Sequence, residues 1–281
     1  MRTDRFVLRG WDGARLSGVF WHPEVPVRAA IIFVHGIGEH TLCYRQWVQG
    51  FCAAGFVCGG VDHRGHGNSP GMRGHTSYQH FERDLALLLR KVQHRFPDCP
   101  VLLYGHSMGG ALVLRFCKEH PDVPLTGVIA SSAVLGLTRL PVSLLRPWVY
   151  LASAVLPFLR VKTGIRREQL ASVSIEKSTR TDPLMHKYIS MRVLADLFRT
   201  MRRLSRGAGP FPFPLLLLHG TDDSVCCASC ASAFGARMGR GTLTKLWPGR
   251  KHELHRDAGA AEVQRFIVGW IKKILSDGYS L

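Results

Sequence analysis

The chain has 281 residues, 46% of them hydrophobic, and 37 Lys and Arg against 20 Asp and Glu, for a formal net charge of +17. That length and apolar content suit one large α/β domain spanning 1–281 and carrying an insertion. The basic residues are mostly Arg and scattered, without the compact basic run and interleaved aromatics of a nucleic-acid binder, so no nucleic-acid partner is expected.

In chain order, the N-terminus MRTDRFVLRG lacks the apolar core of a secretory leader, which points to a cytoplasmic protein. Residues 5–10 and 14–22 read as strands joined by a turn at Trp11-Asp12-Gly13. Residues 28–34 are a continuous apolar run, as a central strand requires, and end in His35-Gly36-Ile37-Gly38-Glu39-His40. A helix is expected over 41–54. A strand over 56–61 then runs into the turn-rich Asp62-His63-Arg64-Gly65-His66-Gly67-Asn68-Ser69. Phe81, Leu85, Leu88, Leu89 and Val92 recur at helical spacing within 78–96. A short apolar strand over 101–104 leads into Gly105-His106-Ser107-Met108-Gly109, and a helix follows to about His120. Further strands are expected over 125–131, 214–218 and 242–247, with a closing helix over 257–275.

Strands alternating with helices imply a mostly parallel sheet flanked by helices, whose working site lies beyond the carboxyl ends of the strands. Four of those ends carry His35-Gly36, Ser107, Asp223 and His252. The G-x-S-x-G stretch, between a strand and a helix, fits a nucleophile elbow: small residues permit a sharp reversal that leaves Ser107 exposed at its tip. A serine needs a base to become a nucleophile, histidine serves near neutral pH, and a carboxylate fixes the imidazole tautomer. The order Ser, Asp, His is that of α/β-hydrolases.

These motifs together resemble the monoglyceride lipase-like serine hydrolases of the α/β-hydrolase superfamily, a group of lysophospholipases and monoacylglycerol lipases. His35 to His40 resembles the family's HGxGEH loop, Asp62 to Ser69 its DxxGHGxS loop, and Gly105 to Gly110 its GHSMGG elbow. Leu216 to Asp223 resembles the acid loop, Lys251-His252-Glu253-Leu254-His255 the terminal H-x-L-H segment, and Thr181-Asp182-Pro183-Leu184 a short turn after the cap. The resemblance implies an α/β-hydrolase fold with a helical cap over 136–212, inserted before the late strands. It implies Ser107 as nucleophile, His252 as base and Asp223 as acid, with the adjacent Asp222 left as the alternative. The backbone N–H groups of Ile37 and Met108 become the oxyanion hole. His255 becomes a structural partner in the last helix, and Cys226 a thiol near the site. His35, His40, His63, His66, His106 and Asp62 are expected to hold their loops rather than a metal, and neither metal nor cofactor is expected.

The eight cysteines include Cys227-x-x-Cys230, which has metal or redox spacing but no second CxxC to complete a zinc site, so reduced thiols are expected. Residues 137–210 hold 14 Arg and Lys against 4 Asp and Glu. Within them 140–159 is almost wholly apolar and interrupted by Pro141, Pro147 and Pro157, which predicts short amphipathic helices rather than a membrane span. A basic, apolar cap fits peripheral contact with an anionic membrane or a roof over an acyl chain. The expected reaction is hydrolysis of a lipid ester, monoacylglycerol first. A lysophospholipase, a thioesterase or acyltransferase on the same triad, and a non-catalytic lipid-binding adaptor are the alternatives.

Overall fold

The structure, a computed structural model, describes residues 1–138, 142–172, 182–207 and 209–276. An eight-stranded sheet runs in the order β1-β2-β4-β3-β5-β6-β9-β10. β1 (Arg2–Arg9) and β2 (Arg15–His22) form an antiparallel pair, and β2 lies antiparallel on β4 (Phe56–Val61). From β4 onward the sheet is parallel, through β3 (Ala29–Val34), β5 (Val101–His106), β6 (Gly127–Ser131), β9 (Leu215–Gly220) and β10 (Thr242–Trp247).

The central strands are buried at every position, because helices cover both faces. Successive side chains nevertheless point to opposite sides. Ile32 and Leu103 join one core with α2 (Tyr78–Arg95) and α3 (Met108–Glu119). Ile31, Phe33 and Tyr104 join the other with α1 (Trp47–Ala53), whose Trp47 and Phe51 they meet.

Residues 41–54 do not form the single helix expected of them. Thr41–Tyr44 is one 3-10 turn, and α1 begins only at Trp47. Tertiary bonds hold that turn: Thr41 N–H donates to Asp62 Oδ1 at 2.8 Å and Tyr44 O–H to Glu39 Oε2 at 2.8 Å.

Between β6 and β9 the chain leaves the sheet. α4 (Val142–Val155) runs straight through Pro147, where a break was expected. The carbonyl that Pro147 deprives of a helical partner belongs to Ser143, an exposed residue. Leu140 and Pro141 lie outside the described residues. β7 (Arg160–Lys162) and β8 (Tyr188–Ser190) form a small antiparallel ribbon. α5 (Met191–Arg206) then packs on α3 and α4, its first turn capped by Ser190 Oγ, which accepts from Val193 N–H.

After β9 come α6 (Ala228–Arg237) and, past β10, α7 (Ala260–Ser276). α7 starts three residues later than its sequence pattern implies, because the Asp257 carboxylate is engaged by the N–H groups of Lys251, Ser172 and Ala258. Among the described residues no helix is long and apolar enough to cross a membrane.

Candidate active site

The carboxyl ends of β3, β5 and β9 and the loop after β10 converge on Ser107. Its φ is 54°, a left-handed conformation uncommon for a side-chain-bearing residue. The reversal from β5 into α3 leaves no room beside it. A Cβ on Gly105 would come within 2.6 Å of Gly109 O, and one on Gly109 within 2.1 Å of Val34 O. The two glycines of the motif are therefore a packing requirement, and the strained residue between them carries the hydroxyl.

His252 Nε2 lies 2.9 Å from Ser107 Oγ, and His252 Nδ1 lies 2.7 Å from Asp223 Oδ2. All three residues are buried. Asp222 is exposed and accepts from Thr221 Oγ, so of the two neighbouring carboxylates only Asp223 reaches the imidazole. Asp223 Oδ1 accepts from the N–H groups of Val225 and Cys226, each at 2.8 Å.

The residue that sequence reasoning missed is His219. It is buried at the end of β9, and its Nε2 is 3.0 Å from Asp223 Oδ2. Its place in the LLLLHG run marks it as core-facing, but nothing in the sequence shows that it shares the carboxylate. Burial opposes the charge on Asp223, yet hydrogen bonds from His219 and His252 outweigh it and hold the carboxyl well below its ordinary range. For His252 burial opposes the imidazolium, while the Cys226 sulfur and the Asp223 carboxylate favour it. The balance raises His252 above an ordinary histidine.

Ile37 and Met108 flank Ser107 from the β3 loop and the start of α3. Neither backbone N–H has a protein acceptor outside regular structure among the described residues. Gly36 N–H donates to Glu39 Oε2 at 2.9 Å, which sets the loop's curve. His186 N–H donates to Gly38 O, and a Cβ on Gly38 would come within 2.1 Å of His186 O, so the insertion presses directly on this loop.

A cavity of about 200 Å³ opens over Ser107, with Ile37, Ile165, Leu170 and Met185 in its wall. Asp182 braces that wall by accepting from Leu184 N–H and pairing with His40 Nε2 at 2.9 Å, while Thr181 lies outside the described residues.

The remaining polar residues hold the loops. His35 Nε2 accepts from His63 N–H, and Asp62 accepts from Thr41 and Asn68. His255 sits before α7 rather than in it, packed against Tyr44 and His106. Cys226 is buried, and burial raises its thiol pKa. Its sulfur and the ligand atoms of Asp223 and His252 lie within 4.8 Å of one another, as do those of Glu39, Glu253 and His255. In the first set Asp223 Oδ1 already accepts two backbone N–H bonds, and Oδ2 faces His252 Nδ1 and His219 Nε2. In the second Arg256 supplies positive charge to Glu253 at 3.2 Å. Cys227 and Cys230 form a disulfide, contrary to the reduced thiols expected: the first turn of α6 brings the two sulfurs together.

A family model described as serine aminopeptidase, S33 matches residues 25–259. The chain belongs to this family of α/β-hydrolases. It is a carboxylic ester hydrolase of the monoglyceride lipase-like group. It is similar to a monoglyceride lipase from Rattus norvegicus, 30% identical over 253 residues that cover 88% of this chain and 82% of that one. The solved structure of a Paleococcus ferrophilus monoacylglycerol lipase superposes with a TM-score of 0.81 at 27% identity, covering 93% of this chain and 98% of that one. An uncharacterised abhydrolase domain-containing protein of Dictyostelium discoideum is 28% identical over 266 residues, and there the match spans 93% of this chain but only 28% of the relative's length.

Proposed function

We propose that this enzyme hydrolyses monoacylglycerols to glycerol and fatty acid through an acyl-enzyme. The observation that carries the reading is one imidazole, His252, within hydrogen-bond reach of both Ser107 and Asp223 at the floor of a half-apolar cavity. Ser107 Oγ attacks the ester carbonyl while His252 Nε2 takes its proton. The developing oxyanion accepts hydrogen bonds from the N–H groups of Ile37 and Met108. His252 returns the proton to the departing glycerol, and water repeats the sequence on the acyl-enzyme. Asp223 keeps the Nδ1–H tautomer and stabilises the imidazolium.

Residues 136–212 act as a cap that roofs the acyl chain and meets the membrane. α4 supports this role, because Leu144, Trp148, Leu151 and Val155 form one exposed stripe along it, with Phe158 exposed just beyond. Arg199, Arg202, Arg203 and Arg206 of α5 line the groove beside Tyr150 of α4. An exposed apolar stripe on a segment that also carries this arginine cluster fits an anionic bilayer from which the substrate is drawn.

The test is fatty-acid release from a monoacylglycerol chain-length series beside lysophosphatidylcholine, with Ser107→Ala as control. Monoacylglycerol turnover that falls at least about 10³-fold in the variant is expected. Preference for the phospholipid overturns the glycerol head group, and full activity in Ser107→Ala overturns the nucleophile.

A further inference from the structure

The Cys227-x-x-Cys230 motif takes no part in ester hydrolysis. Its disulfide closes the first turn of α6, with Cys227 as the residue before the helix. Cys227 Sγ accepts from Cys230 N–H at 3.1 Å and lies 3.2 Å from Ser229 Oγ, on the solvent side. Both cysteines are half-buried, and free N–H groups at a helix start stabilise a thiolate, so Cys227, the residue before the helix, is the sulfur best suited to carry negative charge. Both cysteines pack on the root of the insertion: a Cβ on Gly136 would come within 2.5 Å of Cys230 Sγ and 3.3 Å of Cys227 Cβ.

The disulfide is also wired to the acid. Cys227 N–H donates to Gly136 O at 3.0 Å, and Leu137 bridges Cys226 as an antiparallel pair. Thr138 N–H donates to Val225 O at 3.2 Å, and Thr138 Oγ to Asp223 O at 3.3 Å. The root of the insertion and residues 223–227 therefore make one narrow ribbon, with the disulfide at one end and Asp223 at the other.

We propose that Cys227 and Cys230 are a reversible thiol–disulfide exchange site for a small dithiol, and that its redox state sets the seating of Asp223. The dithiol's thiolate attacks Cys227 Sγ, the Cys227–Cys230 bond breaks, and Cys230 leaves as a thiolate that takes up a proton. The second thiol of the reagent attacks the mixed disulfide and releases Cys227, and the dithiol departs as a cyclic disulfide. Two electrons and two protons pass to the protein. Unbonded sulfurs must then separate to van der Waals contact. Gly136 packs against both cysteines and belongs to the ribbon that holds Asp223, so the displacement falls on that ribbon.

This regulation rests on the ester-hydrolase reading but not on monoacylglycerol as substrate. The whole protein is incubated with dithiothreitol and alkylated with iodoacetamide without denaturant. The modified cysteines are mapped by mass, and hydrolysis of p-nitrophenyl butyrate is followed in parallel. Alkylation at both Cys227 and Cys230 is expected, with kcat/KM down by about threefold or more and restored by oxidised dithiothreitol. The Cys227→Ser/Cys230→Ser variant holds the reduced-state activity and ignores both reagents. A disulfide that resists the dithiol in the folded protein overturns the proposal. So does double alkylation with unchanged kcat/KM, or a double variant that still responds. An oxidised wild-type protein with no esterase activity faults the hydrolytic reading instead, and the alkylation pattern alone then decides the exchange site.

Discussion

Replacing Asp223 by Asn isolates the role of the acid, and the geometry dictates which way the new amide faces. Oδ1 of Asp223 accepts two backbone N–H bonds, from Val225 and Cys226, so the amide oxygen must stay there. The NH₂ group then falls at the Oδ2 position, opposite His252 Nδ1 and His219 Nε2. Facing a donor, His252 Nδ1 becomes an acceptor and its proton moves to Nε2, where it confronts the Ser107 hydroxyl and blocks proton abstraction. The wrong tautomer and the lost charge together are expected to lower kcat by about 10⁴, or about 5.5 kcal/mol of transition-state stabilisation. His219 Nε2 then faces an NH₂ in place of the carboxylate oxygen and keeps Cys226 O, at 3.2 Å, as its acceptor. The assay is steady-state hydrolysis of a soluble ester beside thermal unfolding, with Asp222→Asn in parallel. Exposed Asp222 accepts from Thr221 alone among the described residues, so its variant should stay within about twofold of wild type. An Asp223→Asn enzyme within tenfold of wild type, or an equal loss in Asp222→Asn, refutes the reasoning.

The remaining expectations concern pH and the membrane. Because His252 must be neutral to act and its pKa is raised, the acidic limb of kcat/KM should lie above that of an ordinary histidine and move down in Asp223→Asn; a limb at the ordinary value contradicts the assignment. Burial holds His63 and His106 down at about 4, so both stay neutral in the folded protein while the unfolded chain takes up protons below about pH 6.5. Their contribution is complete above that value and is lost as pH falls towards 4, costing about 2 kcal/mol each by pH 5. Calorimetry should give a lower Tm at pH 5 than at pH 7.5, and a flat profile would sink the argument. Trp148→Asp places a charge in the exposed stripe of α4 and should cut sedimentation with anionic vesicles at least about tenfold while sparing soluble-ester turnover; unchanged sedimentation removes α4 from the membrane contact.

The sequence alone determined the layered architecture and the order of its functional loops. The reason is local: strands covered on both faces must be continuously apolar, as in Leu215–Leu218 and Ala29–Val34, and a strand that reverses into a helix within one residue must flank it with glycine, as at Gly105 and Gly109. The tertiary structure decided what depends on direction and on distant partners. Asp222 and Asp223 are adjacent and chemically alike, and only the path of the chain leaving β9 turns the second towards His252. His219 shares that carboxylate through a contact that no spacing encodes, since both residues look like ordinary members of a strand end and its loop. α4 passes through Pro147 where Ser143, the residue that loses its helical partner, is exposed, and solvent exposure is a property of the folded surface. The Cys227–Cys230 bond likewise needed the start of α6, where one helical turn brings two sulfurs together beside the root of the insertion.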